Sequence, residues 1–395
     1  MRKRIILKYI LPPLAIILLI PIFQKPWENA ESFESDCLKC VISVKGRQGG
    51  MTYSAGYNYE MLKEFCDYAG KKAIILAGDK EYLDSLSIDS VDIVVLHYSD
   101  SLFDEKNYNY SIPLADSSAW LTNANKEGAS KMINEWLASY TLTEDHNILV
   151  DRFSPSYNPF KRASSGKTYK TLSPYDHLFR KYAAALGWDW KMLTSLAWQE
   201  SKFRIEVVSH RGASGMMQMM PVTIKHYQAG NQLDPEESIS TSVKLLSRLQ
   251  KMFADESADN TELIKFTLAA YNAGEGRIRD CINYAKSINA PHSRWDDIVK
   301  IISEMRDETA INSDSLRLGT FKGYETIGYI ENFAKLYDAF CTIAPGQSSQ
   351  DQPLKRRDTA TSELPLSADT TLHQPQAPAK DRDESELMTQ NNFQD

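Results

Sequence analysis

Residues 198–221 read WQESKFRIEVVSHRGASGMMQMMP, and the rest of the chain is organised around them. The stretch opens inside an apolar run, LTSLAWQES, in which Leu193, Leu196, Ala197 and Glu200 recur at helical spacing. Glu200 therefore continues an apolar helix face. A carboxylate there is costly unless it is paired or kept protonated. Burial raises a carboxyl pKa, and a neutral carboxylic acid near neutral pH is what a general acid requires. An ordinary paired core glutamate would occupy the same position. Ser209 follows, then Gly212-Ala213-Ser214-Gly215, a loop of little side-chain bulk that a polymer or a facing backbone can approach. Met216, Met217, Gln218, Met219 and Met220 precede Pro221, where the next helix can begin. On composition alone the methionines read as adaptable core filler.

The order of these residues carries more than their types. E-S-x-F followed by S-x-x-G-A-x-G-x-M-Q-x-M-P resembles the signature of the family 1 lytic transglycosylases. Two further matching blocks lie downstream, Ala270-Tyr271-Asn272-Ala273-Gly274 and Glu325-Thr326-x-x-Tyr329. The resemblance implies an all-α, goose-lysozyme-like domain that cleaves peptidoglycan glycan strands. It implies Glu200 as the catalytic acid. Ser209, Gly215, Met217, Gln218, Met220, Tyr271, Asn272, Glu325 and Tyr329 are the implied substrate-side residues. Among them, Ser209 would bond near the acid or the sugar, Gln218 an acetamido group, and Tyr271 the acid or an acetyl oxygen. Asn272 would bond turn backbone. Two positions depart from the pattern: Met216 stands for the usual Leu, and Ile205 for a proline that often follows the first element.

Glycoside cleavage needs a proton at the bridging oxygen and, in hydrolases, usually a second carboxylate to activate water or attack the sugar. Between residues 201 and 221 the only other acid is Glu206, which reads as part of a solvated turn. A one-acid site suits an intramolecular attack, and the resemblance implies one. The acid protonates the leaving oxygen, and its conjugate base then takes the proton of the C6 hydroxyl of the same muramic acid. That hydroxyl closes on the anomeric carbon to give a 1,6-anhydro product, with proximity supplied by the substrate. Glu325 keeps a lysozyme-type hydrolase in view, and a non-catalytic glycan-binding scaffold on the same fold is the other alternative. Trp188, Trp190, Trp198 and Trp295 could stack on sugars but read first as core. No cofactor motif, nucleotide fingerprint or metal-ligand spacing occurs; Gly274-Glu275-Gly276 is too weak to count, and the histidines are scattered.

A chain of 395 residues, 42% hydrophobic and 25% charged, has room for two globular domains and tails. The expected fold class is α+β, with a small α/β domain in front of an all-α lysozyme-like domain. The N-terminus, MRKR followed by ILKYILPPLAIILLIPIF, reads as a secretory signal or membrane anchor over residues 1–23. That puts the remainder on the periplasmic side of the cell envelope. Without the four basic residues of this segment the formal charge of −7 becomes −11, which argues against a nucleic-acid partner. Exported cysteines can pair. Cys281 and Cys341 share the last third of the enzyme-like region and are a plausible bridge. Cys37-x-x-Cys40 is half a metal or redox motif with no second pair, and Cys66 completes a set whose pairing is open.

Residues 24–40 read as a polar tether and 41–140 as a small α/β unit. Its strand candidates are Val41–Val44, Ala73–Leu76 and Val91–Leu96, with helices over Tyr57–Tyr68 and Ser130–Tyr140, an alternation that predicts a parallel sheet. GYNYEMLKEFCDYAG followed by DSVDIVV resembles the first lobe of family 3 solute-binding proteins, which precede the transglycosylase domain in the membrane-bound lytic transglycosylase F subgroup. The unit is about half the usual length and lacks a second lobe, so a docking, regulatory or structural role is expected over amino-acid binding, and its partner stays open. Residues 141–172 read as a linker and 345–395 as a disordered tail. Between them lies the helical domain, 173–344. Its helices are predicted at 174–186, 189–201, 221–229, 236–254, 261–272, 275–285, 294–304 and 323–342, the first opened by Ser173-Pro174.

Overall fold

A computed structural model of the chain describes residues 33–44, 55–78, 80–97, 107–160, 171–306 and 317–345. The expected signal or anchor segment and the expected tail lie outside the described residues. The described part is helix-rich, with a five-stranded sheet in its N-terminal region.

The sheet holds β1 (Cys37–Ser43), β2 (Lys72–Gly78), β3 (Ile93–His97), β4 (Tyr108–Tyr110) and β5 (Ser118–Asn123), in the spatial order β2-β1-β3-β5-β4. β1 pairs in parallel with β2 and β3, whereas β5 runs antiparallel to both β3 and β4. The sheet is thus mixed, where alternation of strands and helices predicted a parallel one. The cause is that β4 and β5 follow each other without a crossover helix, so they return side by side. Strand periodicity sorts the two faces. Leu38, Cys40 and Ile42 of β1, with Ile93, Val95 and Trp120, join the main apolar cluster; Val41, Val94, Leu96 and Leu121 point the other way, against α2 (Leu83–Ser87).

α1 (Gly56–Tyr68) and α3 (Glu127–Tyr140) cover the main face. Tyr57, Met61, Leu62 and Phe65 line the buried side of α1, and the Phe65 ring lies 5.7 Å from Trp120 and 5.4 Å from Trp136. Full burial of one such ring contributes about 2 kcal/mol. Two boundaries differ from expectation. Within the expected tether, residues 33–40 are already structured: Phe33 packs edge-on against Phe65, and β1 begins at Cys37. The predicted linker contains α4 (Glu144–Phe153), capped by the Thr143 hydroxyl, which accepts from the His146 amide.

The second region is all helical: α5 (Asp176–Ala183), α6 (Trp190–Ser201), α7 (Pro221–His226), α8 (Pro235–Phe253), α9 (Asn260–Ala273), α10 (Glu275–Ser287), α11 (Trp295–Glu304) and α12 (Tyr324–Ile343). Asp189, Asp234 and Asp259 cap α6, α8 and α9 by accepting from first-turn amides. Ser173 is not the cap of α5, which starts two residues later than predicted; its hydroxyl instead donates to Asp176 at 2.6 Å. Trp188, Trp190, Trp198 and Trp295 are all buried. One apolar cluster runs through both regions without a break. Phe153 of α4 lies edge-on to Tyr175, and Gly56 abuts both rings so closely that a Cβ there would sit 2.5 Å from one and 2.8 Å from the other's hydroxyl.

Candidate active site

Glu200 occupies the last turn of α6. Leu193, Leu196 and Ala197 anchor that helix by complete burial, and Lys202 ends it in the left-handed region at φ 56°. The carboxyl is set among protein atoms with part of its surface accessible. Burial pushes its pKa from the ordinary 4.5 up to about 7, against a smaller opposing effect from a hydrogen bond donated by the Tyr329 hydroxyl to Oε1. Among the described residues no second carboxylate acts on it. Tyr329 is brought there by α12, which packs along α6, and the Gln199 amide donates to the Tyr329 carbonyl at 3.0 Å. The residue beside the acid thus fixes the backbone of its partner, a contact 130 residues long in sequence that no local pattern foretells.

Tyr271 approaches from the last turn of α9, just before Gly274 turns the chain at φ +87° into α10. Burial and the neighbouring Glu200 raise its hydroxyl pKa, so it stays protonated. It does not hold the acid; it donates to the Met217 carbonyl at 2.6 Å. Asn272 does not bond turn backbone: its side-chain oxygen accepts from Thr326 of α12 at 2.9 Å. Glu325, four residues before Tyr329, is exposed.

The loop 207–219 folds on itself. Ser209 Oγ accepts from the Ala213 amide at 3.0 Å, closing a turn; it makes no bond to the acid. Gln218, at φ 48°, donates from its side-chain nitrogen to the Val207 and Gly215 carbonyls, both at 2.9 Å, so that nitrogen serves the loop and not an acetamido group. Met216 and Met217 are fully buried and Met219 nearly so, which removes Met217 from the groove surface; Met220 is 40% exposed. Gly215 sits at φ +78°, and a Cβ there would lie 2.7 Å from the Gln232 carbonyl. Glu206 is not solvated as expected: it pairs with Arg204 at 2.8 Å and its side chain is largely covered. The expected Cys281–Cys341 bridge is absent. Both are free thiols in different surroundings, Cys281 buried beside Asp280 on α10 and Cys341 against Tyr337 on α12.

The fold and the residues around Glu200 define a domain class. Residues 177–292 match the family model described as "Transglycosylase SLT domain". It is similar to the membrane-bound lytic murein transglycosylase F of Desulfosudis oleivorans, with 25% identity over 268 residues, 66% of this chain and 58% of that protein. It is similar as well to the protein of the same name from Shewanella loihica, 30% identical over 205 residues, 52% of this chain and 42% of that one. The chain spans little more than half the length of the first of these relatives. Among solved structures, the 70 kDa soluble lytic transglycosylase of Escherichia coli aligns at 21% identity and a TM-score of 0.29, covering 56% of this chain and 33% of that one.

Proposed function

We propose that this chain is a peptidoglycan lytic transglycosylase that cleaves the β-1,4 bond between N-acetylmuramic acid and N-acetylglucosamine and leaves a 1,6-anhydromuramyl end, with Glu200 as its single general acid and base. The observation that carries the proposal is a lone buried carboxyl whose pKa lies at about 7, bonded to a tyrosine and without a second carboxylate acting on it. With Oε1 taken by Tyr329, Oε2 carries the proton. It protonates the bridging oxygen as the bond from that oxygen to the anomeric carbon breaks. The resulting carboxylate, stabilised by the Tyr329 donor, removes the proton of the C6 hydroxyl while its oxygen bonds to the anomeric carbon. Glu200 ends as it began, and no water is consumed. Gly215, Gln218, Ser209 and Tyr271 act by holding the loop and the acid's surroundings; Met220, Asn272 and Glu325 are on the accessible side and are the residues proposed to meet the glycan.

The names of the relatives support a place in the cell envelope, and the N-terminal sequence supports anchoring through residues 1–23 with the enzyme on the periplasmic side. Among the described residues no helix is long and apolar enough to cross a membrane. The front unit is read as a shortened solute-binding-like lobe, supported by its β1-α1-β2 crossover and parallel β2-β1-β3 core. It offers one wall, and a ligand cleft needs two.

The test is mass spectrometry of muropeptides released from purified peptidoglycan by residues 31–395, beside Glu200→Gln. Anhydromuramyl products from the unchanged sequence alone, at a rate that falls as pH rises through about 7, are expected. Reducing ends carrying an added water would replace the proposal with a hydrolase. Binding to sacculi with no release would replace it with a scaffold.

A further inference from the structure

A short segment leading into the first turn of α8, Asn231–Ser238, is held from two sides. On one side is the front region. The Asn231 side-chain nitrogen donates to the carbonyl of Ile75, on β2, at 2.6 Å, and the buried Tyr59 of α1 lies beside the Asp234 carboxylate, whose charge adds to burial in raising its hydroxyl pKa. On the other side is the catalytic loop. The Gln232 carbonyl lies against Gly215, and the Ser238 hydroxyl accepts from the Met217 amide at 3.3 Å. The segment is stiff in itself. Asp234 caps α8, the Glu237 carboxylate accepts from the Gly230 and Asn231 amides at 2.5 and 2.7 Å, and Asn231 Oδ1 accepts from the Leu233 amide at 3.1 Å.

From Met217 the path to the acid is one further contact. The Met217 peptide that leans on Ser238 through its N–H receives the Tyr271 hydroxyl on its C=O, and Tyr271 is near enough to Glu200 for the carboxylate's charge to add to burial in raising its hydroxyl pKa. We infer that Asn231 and Tyr59 are positioning residues for the reaction: through the 231–238 segment they make the front region the backing of the catalytic loop, and so set how completely Glu200 is enclosed. The partner of the front region is then this chain's own active-site loop. The step from enclosure to rate is physical. The water-poor setting of Glu200 is what raises its pKa, and displacement of supporting groups by about 1 Å costs up to a hundredfold in rate. The inference rests on the reading of Glu200 as the acid.

Asn231→Ser shortens the side chain so that it no longer reaches Ile75 but keeps an oxygen for the Leu233 amide. Tyr59→Phe removes only the hydroxyl that meets Asp234. The double variant should fold, because both changes preserve the buried volume closely. In it the Glu200 carboxyl, followed by NMR with carboxyl-¹³C glutamate and assigned by its loss in Glu200→Gln, should titrate at least half a unit lower than in the unchanged protein. Its kcat on peptidoglycan should fall about tenfold with KM changed less than threefold. A merely structural role would lower the melting temperature and leave the titration midpoint in place. An unmoved midpoint, or a kcat within twofold of the unchanged protein, would overturn the inference. Absence of anhydro products from the unchanged protein would instead overturn the functional reading, and the titration, which needs no turnover, would still decide this one.

Discussion

Glu200 holds its proton by exclusion of water, and that choice has a thermodynamic cost with a definite sign. Its native pKa of about 7 lies above the ordinary 4.5, so between those values the native state binds more protons than the unfolded chain. Stability contributed by the neutral carboxyl is fully present below about pH 4.5 and is lost as pH rises to about 7. Glu200→Gln stays neutral throughout and can still accept from Tyr329. It should therefore be more stable than the unchanged protein at pH 8, by on the order of 2–3 kcal/mol, and no more stable at pH 4. Urea unfolding at the two pH values checks this; equal differences at both would mean that Glu200 is not buried as a neutral acid. The position of this residue was readable in sequence, because its spacing from Leu193, Leu196 and Ala197 put it on a buried face. Its surroundings were not. Ser209, Gln218 and Tyr271 all turn their polar atoms to backbone groups of the loop, and a side chain's carbonyl partner leaves no trace in residue type.

At the scale of elements, the predicted helices of the second region all form, and chemistry at their ends fixes them: Asp189, Asp234 and Asp259 cap starts, and Gly274 makes a turn. β5 was missed because its buried face includes polar groups, Ser118 and Asn123, that break the apolar pattern. They are satisfied instead by Asp116 and by the Ser87 carbonyl. α4 hid in a polar stretch; Thr143 followed by Glu144-Asp145 marks its start. The loop 207–219 is the element on which the site depends, and Gly215 is its tightest point. A side chain there meets two separate costs, the left-handed backbone and the Gln232 carbonyl at 2.7 Å. Gly215→Ala should destabilise the protein by about 1–3 kcal/mol, and should lower kcat more than Ala does at Gly187. Gly187 shares the positive φ, at +66°, with open space around its Cβ position, so it isolates the backbone cost. Equal effects at the two sites, by thermal unfolding and muropeptide release, would show that contact with Gln232 carries no weight.

Over the whole molecule, the sequence predicts two domains joined by a linker, whereas the packing is continuous. Leu172 and Tyr175, at the head of the helical region, are buried, and Tyr175 is covered by Gly56 and Phe153 from the front region. Composition could not reveal this, since an interface of Tyr, Phe and Gly resembles any core surface. The front region is therefore expected to act as part of the helical region's core. Residues 171–345 alone would expose the Tyr175 face and lose the Asn231 hydrogen bond and the Tyr59–Asp234 contact, about 3 kcal/mol if one aromatic ring and one hydrogen bond are lost. For a region of this size that corresponds to a melting temperature at least 5 °C below that of residues 33–345, by about 2–4 °C per kcal/mol. Differential scanning calorimetry of the two chains separates the possibilities. A single cooperative transition for the longer chain, at the higher temperature, is expected from one shared cluster. Two transitions, one coinciding with that of the shorter chain, would mean that the regions unfold independently and that the contacts at Asn231 and Tyr59 carry no stabilising energy.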